Sequence, residues 1–279
     1  MRRISAYVEL ARPVNVLIVA GSVLVGALAS GVFPAGLPVL LSCLVAALIT
    51  AGANAVNDVY DLQIDRINKP RRPLPSGRLD RTQAIRLAII LMILGVALSP
   101  SLGFWGFLIA LAVAILLVTY SARLKRTPLW GNLTVALAAG LAFLYGGIAV
   151  GRPWPALIPA GLAFLFHLGR EILKDAQDVA GDWATGAGTL PTRVGVPLAL
   201  KWAGLVFALL ILTTPVPYLV GRYSLAYLVI VILGVDIPLV YVIVSSQRNQ
   251  GPDHLGRLSL LLKMDMWVGL MAILVGVWT

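Results

Sequence analysis

Cysteine, histidine and charge are the scarce components of this 279-residue chain. Its one cysteine, Cys43, sits within an apolar run, so an intramolecular disulfide and a cysteine-based zinc site are excluded and a buried structural thiol is expected. Two histidines, His167 and His254, are too few and too far apart for a histidine metal centre, and His167 reads as a satisfied packing residue. Only 12% of residues are charged, against roughly a quarter in soluble domains. No polar segment is long enough to bury a core of its own, which argues against a soluble domain anywhere in the sequence.

What fills the chain instead is hydrocarbon: 59% of residues are hydrophobic and the mean hydropathy is +0.91. This composition predicts an all-α, polytopic membrane protein folded as a single domain over 1–279. Apolar runs of about 17–25 residues mark membrane spans. Nine such runs occur, at 14–33, 37–57, 83–100, 104–120, 131–149, 155–174, 197–219, 223–244 and 258–278. The net charge of +10 does not call for a nucleic-acid partner, because the connections between spans account for it. With the N-terminus cytoplasmic, 20 of the 22 Lys and Arg fall inside and only Arg152 and Arg222 outside. That split predicts a multi-pass protein of the cell membrane with an external C-terminus. The Met-Arg-Arg start precedes a late apolar run with no convincing cleavage site, so the first span reads as uncleaved.

Against this background the carboxylates are not scattered. Seven of the twelve fall in two clusters, Asp58, Asp61 and Asp65, then Glu171, Asp175, Asp178 and Asp182. Both contain D-x-x-D-x-x-x-D, at a fixed offset of 117 residues, with Asn54 opposite Glu171. At about 100° per residue such spacing puts each triplet along one face of a helix. The clusters close the second and sixth spans, four helices apart, so both lie at cytoplasmic helix ends. The offset suggests two parallel four-helix repeats, 14–125 and 131–244, with a ninth helix added. The connections after the clusters, 66–82 and 183–196, are long and rich in Gly, Pro, Arg and Thr, as lids beside a site often are.

An aspartate in a membrane helix costs about 2.5–3.5 kcal/mol on insertion scales, and at a helix C-terminus it also opposes the macrodipole by roughly 0.3–1 kcal/mol. A single Asp could merely solvate a helix end; two matched triplets require cations. Oxygen-only donors with room for water and phosphate suit Mg²⁺ better than a closed Ca²⁺ cage. A Mg²⁺-bridged diphosphate is the natural occupant. Lys69, Arg71 and Arg72 follow the first cluster, where guanidinium forks suit phosphate, although any cytoplasmic loop would be basic. Tyr120, Ser121 and Lys125 offer hydroxyls and a cation at matching depth, with an interfacial anchor as the alternative. Arg170 and Lys174 flank the second cluster as further substrate contacts.

The segment N-D-V-Y-D-L-Q-I-D-R-I-N-K-P-R-R-P-L-P-S-G at Asn57 to Gly77 resembles the signature of the UbiA superfamily of intramembrane prenyltransferases. The segment R-E-I-L-K-D-A-Q-D-V-A-G-D with G-x-G-T-L-P, at Arg170 to Pro191, is similar to that family's second aspartate motif. The resemblance implies a ring of nine helices around a central cavity open laterally to lipid, where Mg²⁺ holds a prenyl diphosphate until the diphosphate departs and a lipophilic acceptor attacks the allylic cation. It implies that Asp58, Asp61, Asp65, Asp175, Asp178 and Asp182 are the catalytic metal and diphosphate ligands, with Asn54 beside them and Tyr120, Lys125 and Arg72 in support. Arg12-Pro13-Val14-Asn15 looks like the family's first-helix motif, making Arg12 and Asn15 candidates for a substrate head group, although packing equally explains Asn15.

The resemblance of the second motif, within that family, to enzymes with a glycerol-phosphate lipid acceptor implies the hydroxyl of geranylgeranylglyceryl phosphate as acceptor, in ether-lipid synthesis, with an aromatic or tetrapyrrole acceptor as the alternative. A phosphate-bearing acceptor needs a second cationic site, for which the basic face has residues to spare. A cation-coupled transporter is the reading from another class, but its carboxylates should approach the bilayer midplane rather than one end of the spans. Asp236, Lys263 and Asp265 remain as ionisable groups in later spans, with Asp236 paired to Lys263 as the simplest structural reading.

Overall fold

The computed structural model describes residues 2–31 and 36–278; residues 32 and 33, the expected end of the first span, lie outside them, as does the last residue of the expected external C-terminus. Every described element is helical: α1 (Arg2–Ala11), α2 (Pro13–Ala29), α3 (Leu37–Tyr60), α4 (Leu62–Asn68), α5 (Arg81–Leu98), α6 (Gly103–Ala122), α7 (Trp130–Ala149), α8 (Leu157–Gln177), α9 (Val179–Ala184), α10 (Leu190–Val194), α11 (Val196–Thr213), α12 (Val216–Leu219), α13 (Leu225–Val231), α14 (Ile237–Arg248) and α15 (Pro252–Trp278). A five-residue π-helical turn, Ile232–Asp236, joins α13 to α14.

Each expected span coincides with helix. By length and apolarity, however, six described stretches qualify as membrane-crossing, or seven if α1 and α2, bent by 45°, count as one broken span. Two physical facts separate that count from nine. The stretch Arg81–Ala122 counts once at 42 residues. A straight helix of that length would be about 63 Å, twice the hydrocarbon thickness. It is broken by the 3₁₀ turn Ser99–Leu102 and by Gly103 at φ 80°. Helix α8 drops out because its last turns carry Arg170, Glu171, Lys174 and Asp175.

The expected continuous carboxylate stripes are corrected. Helix α3 stops at Tyr60 and α4 begins at Leu62, while α8 stops at Gln177 and α9 begins at Val179. The central aspartates are the corners, Asp61 at φ −85°, ψ 0° and Asp178 at φ −90°, ψ 6°. Each triplet is therefore folded around a break rather than laid along one helix. The loops expected as lids also hold structure: α4, α9 and α10 are short helices within or beside them. Asp80 caps α5 in a reciprocal capping box with Gln83.

Helix α1 was not anticipated. It buries Ala6 and Leu10 against α3, and exposes Ile4 and Val8. The break after it follows from Arg12-Pro13, since a residue before proline is disfavoured in the α conformation. Arg12 instead takes left-handed angles, φ 55° and ψ 69°.

Helix α2 packs on α3, α7 and α15; α7 packs on α8, and α8 on α11 and α15. Outward faces are lipid-like, with Ile89, Ile90, Ile93 and Leu94 on α5 and Leu205, Leu209 and Leu212 on α11 exposed. Exposed Trp105, Trp130, Trp154 and Trp183 stand near helix ends, where amphipathic rings favour the membrane–water interface. The single Cys43 is half-buried, its thiol 3.4 Å from the Ala20 carbonyl oxygen.

The α2–α7 crossing is a backbone contact. A Cβ added to Gly146 would lie 1.9 Å from the Val23 carbonyl oxygen, and one added to Gly26 would lie 2.0 Å from that of Phe143. Between membrane helices, where lipid is as apolar as leucine, such small-residue contacts supply much of the packing. Gly146→Ala should therefore lower the apparent melting temperature in detergent, at an overpacking cost of about 1–3 kcal/mol. Gly161→Ala on α8, where a Cβ meets nothing within 4 Å, is the control that should not.

Candidate active site

The two helix breaks face one cavity of about 400 Å³. Its deep wall is apolar, formed by Ile18 and Val19 of α2, Val45 and Ile49 of α3, Ile109 and Val113 of α6 and Leu141 of α7. Its other end is charged. Val45 and Asp61 both line it, 16 residues apart along α3. At 1.5 Å per residue this is about 24 Å of depth.

Of the residues singled out from sequence, Arg12, Asn15, Asn54, Asp61, Lys69, Arg72, Tyr120, Ser121, Lys125, Arg170, Lys174, Asp175 and Asp178 line the cavity. Asp58, Asp65, Asp182 and Arg71 do not. Asp58 and Asp65 are 2% exposed and stand behind the wall. Arg72 bridges them, with Nη1 donating to Asp65 Oδ2 at 2.6 Å and to Asp58 Oδ1 at 3.3 Å. Arg12 adds an ion pair to Asp58 from its left-handed corner. Asp182 accepts a hydrogen bond from Thr189 Oγ1 at 2.9 Å. Arg71 is exposed on the loop.

The facing carboxylates are each held through one oxygen. Asp61 Oδ2 accepts from Asn57 Nδ2 at 2.7 Å and pairs with Lys125. Asp175 Oδ2 accepts from Asn132 Nδ2 at 2.7 Å, and Asp178 Oδ2 pairs with Lys69 Nζ at 2.7 Å. Lys69 thus ties the first motif's loop to the second motif's corner. Asn68 adds a bond to the Asp178 carbonyl oxygen at 3.3 Å, and Glu171 accepts from Arg170 at 3.0 Å and from Lys174 at 2.9 and 2.8 Å. Asn54 is bound backwards, donating to the Ala11 carbonyl oxygen at 2.9 Å.

Asn57, Asn132 and Thr189 escaped sequence reading. Asn57 had a signal, four residues before Asp61 and so on its face. Asn132, an amide buried in apolar α7, had only its chemical oddity, and Thr189 had its place in the G-x-G-T-L-P of the second motif. His167 corrects its packing assignment: it lines the cavity, and its buried Nδ1 has no hydrogen-bond partner among the described residues. The Asp236–Lys263 pairing is also corrected. Asp236 accepts from Thr214 Oγ1 at 3.1 and 2.9 Å, whereas Lys263 lines the charged cavity. A smaller cavity of about 80 Å³ shares Ile18, His167 and Met266 with the main one and contains Asp265, whose carboxyl oxygens have no partner among the described residues.

Among the described residues no three acidic, His or Cys side chains converge into a closed metal site. The donors nevertheless fit Mg²⁺, which keeps several waters and takes one or two carboxylates plus substrate phosphate. Oδ1 of Asp61, Asp175 and Asp178 takes no part in the bonds above, and the buried Asn57 Oδ1 lacks a donor. These hard oxygens stand beside lysines and arginines at the end of an apolar shaft. The arrangement defines an integral-membrane enzyme that holds a polyanionic head and a long apolar tail together.

The UbiA prenyltransferase family model matches residues 16–268. The chain belongs to that family and is a prenyltransferase. It is 40% identical over 271 residues to the digeranylgeranylglyceryl phosphate synthase of Methanopyrus kandleri, covering 96% of this chain and 98% of that one. It is 38% identical to the synthase of the same name from Saccharolobus solfataricus, over 98% and 97% of the two chains. A solved digeranylgeranylglyceryl phosphate synthase superposes with a TM-score of 0.78 at 32% identity, covering 99% of each chain. A UbiA homologue from Archaeoglobus fulgidus, solved bound to DMAPP and Mg²⁺, shares the fold at a TM-score of 0.67 and 22% identity, over 96% of this chain and 98% of that one.

Outside the spans, burial raises Asp65 and Asp182 above the ordinary carboxylate range; Arg72 opposes it at Asp65, and Thr189 with Lys125 at Asp182. Burial works against the Arg72 charge, but Asp58 and Asp65 outweigh it and its pKa is raised. For the two carboxyls the neutral form favours folding. That contribution is complete below their unfolded pKa and is lost as pH rises through the elevated folded values. Metal-stripped protein should therefore lose melting temperature as pH rises from below about 4 through the raised values, and added Mg²⁺ should restore more stability above that range than below it. Equal Mg²⁺ shifts on both sides would contradict this.

Proposed function

We propose that this enzyme transfers a geranylgeranyl group from geranylgeranyl diphosphate to the free hydroxyl of geranylgeranylglyceryl phosphate, with Mg²⁺, in ether-lipid synthesis. The observation that carries the reading is the meeting of both aspartate motifs at the charged end of one apolar cavity, in a chain similar over nearly its full length to synthases of that name.

In the reaction the allylic C–O bond to diphosphate breaks, an ether C–O bond forms, and the hydroxyl proton leaves. Lys69, Arg72 and Lys125 receive the diphosphate, exchanging part of their bonding to aspartate for bonding to phosphate. Asp61, Asp175 and Asp178 would hold the metal through the oxygens that their bonds to amides and lysines leave open. Asp58, Asp65 and Asp182 support that set from behind, where Arg12, Arg72 and Thr189 fix them. Bound Mg²⁺ supplies charge neutralisation for the departing diphosphate. The apolar shaft aligns the prenyl tail and keeps water from the allylic carbon. Tyr120, Ser121, Asn54 and Asn15 complete the lining around the head groups.

The bias of 20 cytoplasmic to 2 external cations supports a cell-membrane enzyme with the mouth of the site, and the N-terminus, on the cytoplasmic side. The matching backbone breaks at Asp61 and Asp178 favour an origin of 14–125 and 131–244 as two parallel repeats.

The test is transfer of radiolabelled geranylgeranyl by purified protein to geranylgeranylglyceryl phosphate, offered beside a panel of aromatic acceptors. Label should enter the glycerol lipid only when Mg²⁺ is present, and transfer to a ring instead would overturn the acceptor assignment. Asp61→Asn and Asp175→Asn should each reduce turnover by at least about a hundredfold, on the scale of losing a group that stabilises leaving-group charge. Unchanged turnover in folded variants would remove these residues from the mechanism.

A further inference from the structure

The cations lining the cavity divide by what neutralises them. Lys69, Arg72 and Lys125 each pair with aspartates of the two motifs. A second wall, where α15 packs against α8, brings Arg170, Lys174 and Lys263 to the same cavity; Arg12, which also lines it, belongs with the first group through Asp58. The carboxylates these cations meet are already engaged: Asp58 by Arg12 and Arg72, and Glu171 by both Arg170 and Lys174.

Among the described residues no carboxylate forms an ion pair with Lys263, and the charges that act on it are those of Arg170 and Arg12, both positive. Asp236 is taken by Thr214, and Asp265, two positions along α15 and so not on the same face, lines the smaller cavity. A lysine in a membrane-spanning helix is costly to keep charged and is a functional candidate by default. This one opens onto a cavity that Arg12 and Arg170 also line. That environment favours a ligand anion.

We propose that Lys263, with Arg170 on the lining of the same cavity, binds the phosphate monoester of the acceptor lipid. The inference rests on the acceptor reading above. The cavity then holds two anionic groups at once, the donor diphosphate among the aspartate-paired cations and the acceptor phosphate on the α8–α15 wall. A monoester carries about 1.5–2 negative charges at neutral pH, as a phosphorylated side chain does, enough to offset Lys263 and most of a second cation. Lys263 is thus a specificity residue: it separates a phosphorylated glycerol lipid from the same lipid without phosphate.

The experiment compares full-length wild type, K263Q and K263R. It reads transfer kinetics, and direct calorimetric binding of geranylgeranylglyceryl phosphate against geranylgeranylglycerol without donor. Wild type should prefer the phosphorylated lipid in both. K263Q should raise the acceptor KM by about tenfold or more, equivalent to ~1.4 kcal/mol, and bind the two lipids alike, with the KM for geranylgeranyl diphosphate unchanged. K263R should recover most of the preference, which a purely structural role would not predict. Retained phosphate preference in K263Q, or an equal rise in donor KM, overturns the assignment. A wild type that prenylates an aromatic ring and neither glycerol lipid sinks the acceptor reading itself; glycerol-lipid transfer with an unaltered K263Q sinks only the role of Lys263.

Discussion

The neutralisation of buried aspartates by cations from other parts of the chain is the constraint on which this structure depends. Asp58 and Asp65 are almost wholly withdrawn from solvent in a protein whose surroundings are mostly hydrocarbon. A carboxylate so placed survives only when opposite charge and hydrogen bonds meet it, and removing one partner of such a pair costs far more than an exposed ion pair contributes. Arg72 answers both with one guanidinium, and Arg12 reaches Asp58 only because the chain turns through a left-handed residue. For a non-glycine side chain that conformation costs on the order of 1–3 kcal/mol, and such strain tends to sit at functional sites. The corner between α1 and α2, the placement of Arg72 and the course of the loop after α4 all follow from the need to meet these charges.

The same economy fixes what the active site can do. Three aspartates that line the cavity each have one oxygen fastened to an amide or a lysine, and the other takes no part in those bonds. Three more do not line the cavity: Asp58 and Asp65 hold Arg12 and Arg72 in register, and Asp182 is fastened to Thr189. The lysines that neutralise Asp61 and Asp178 are, in the proposed reaction, the groups a diphosphate would engage, so one set of positive charges would serve the protein before the substrate arrives and the substrate once it is there. Below the charged end, close helix crossings leave an apolar shaft between them.

Much of this was legible in the sequence, because the forces concerned leave periodic traces. Apolar runs marked each long helix, and carboxylates in hydrocarbon stood out by rarity and by a shared offset. What escaped lay in the third dimension or in local backbone geometry. Helical spacing placed each triplet on one continuous face, whereas the chain breaks at Asp61 and Asp178. Helix α1 is too short and too polar to read as a span, and Asn132 and Thr189 reach their aspartates only through folding. Lys263 and Asp236, both charged and both in late spans, invited a pairing, but Thr214 claims Asp236 and leaves the lysine to the cavity. The charge of α8 that identifies the site is also what removes it from a count based on apolarity.

The pattern of ion pairs also orders the making of the protein. A chain that folds from its N-terminus as it is synthesised presents Arg12 before Asp58, Lys69 before Asp178 and Asn132 before Asp175. At each of these contacts the cation or amide donor is already in the membrane or at its edge when the carboxylate emerges. Asp65 waits only seven residues for Arg72, and Asp182 the same distance for Thr189. Asp61 has Asn57 one turn earlier but waits sixty-four residues for Lys125. The second aspartate motif therefore enters a bilayer in which most of its partners are already waiting, and the first motif is complete only when α6 has crossed behind it.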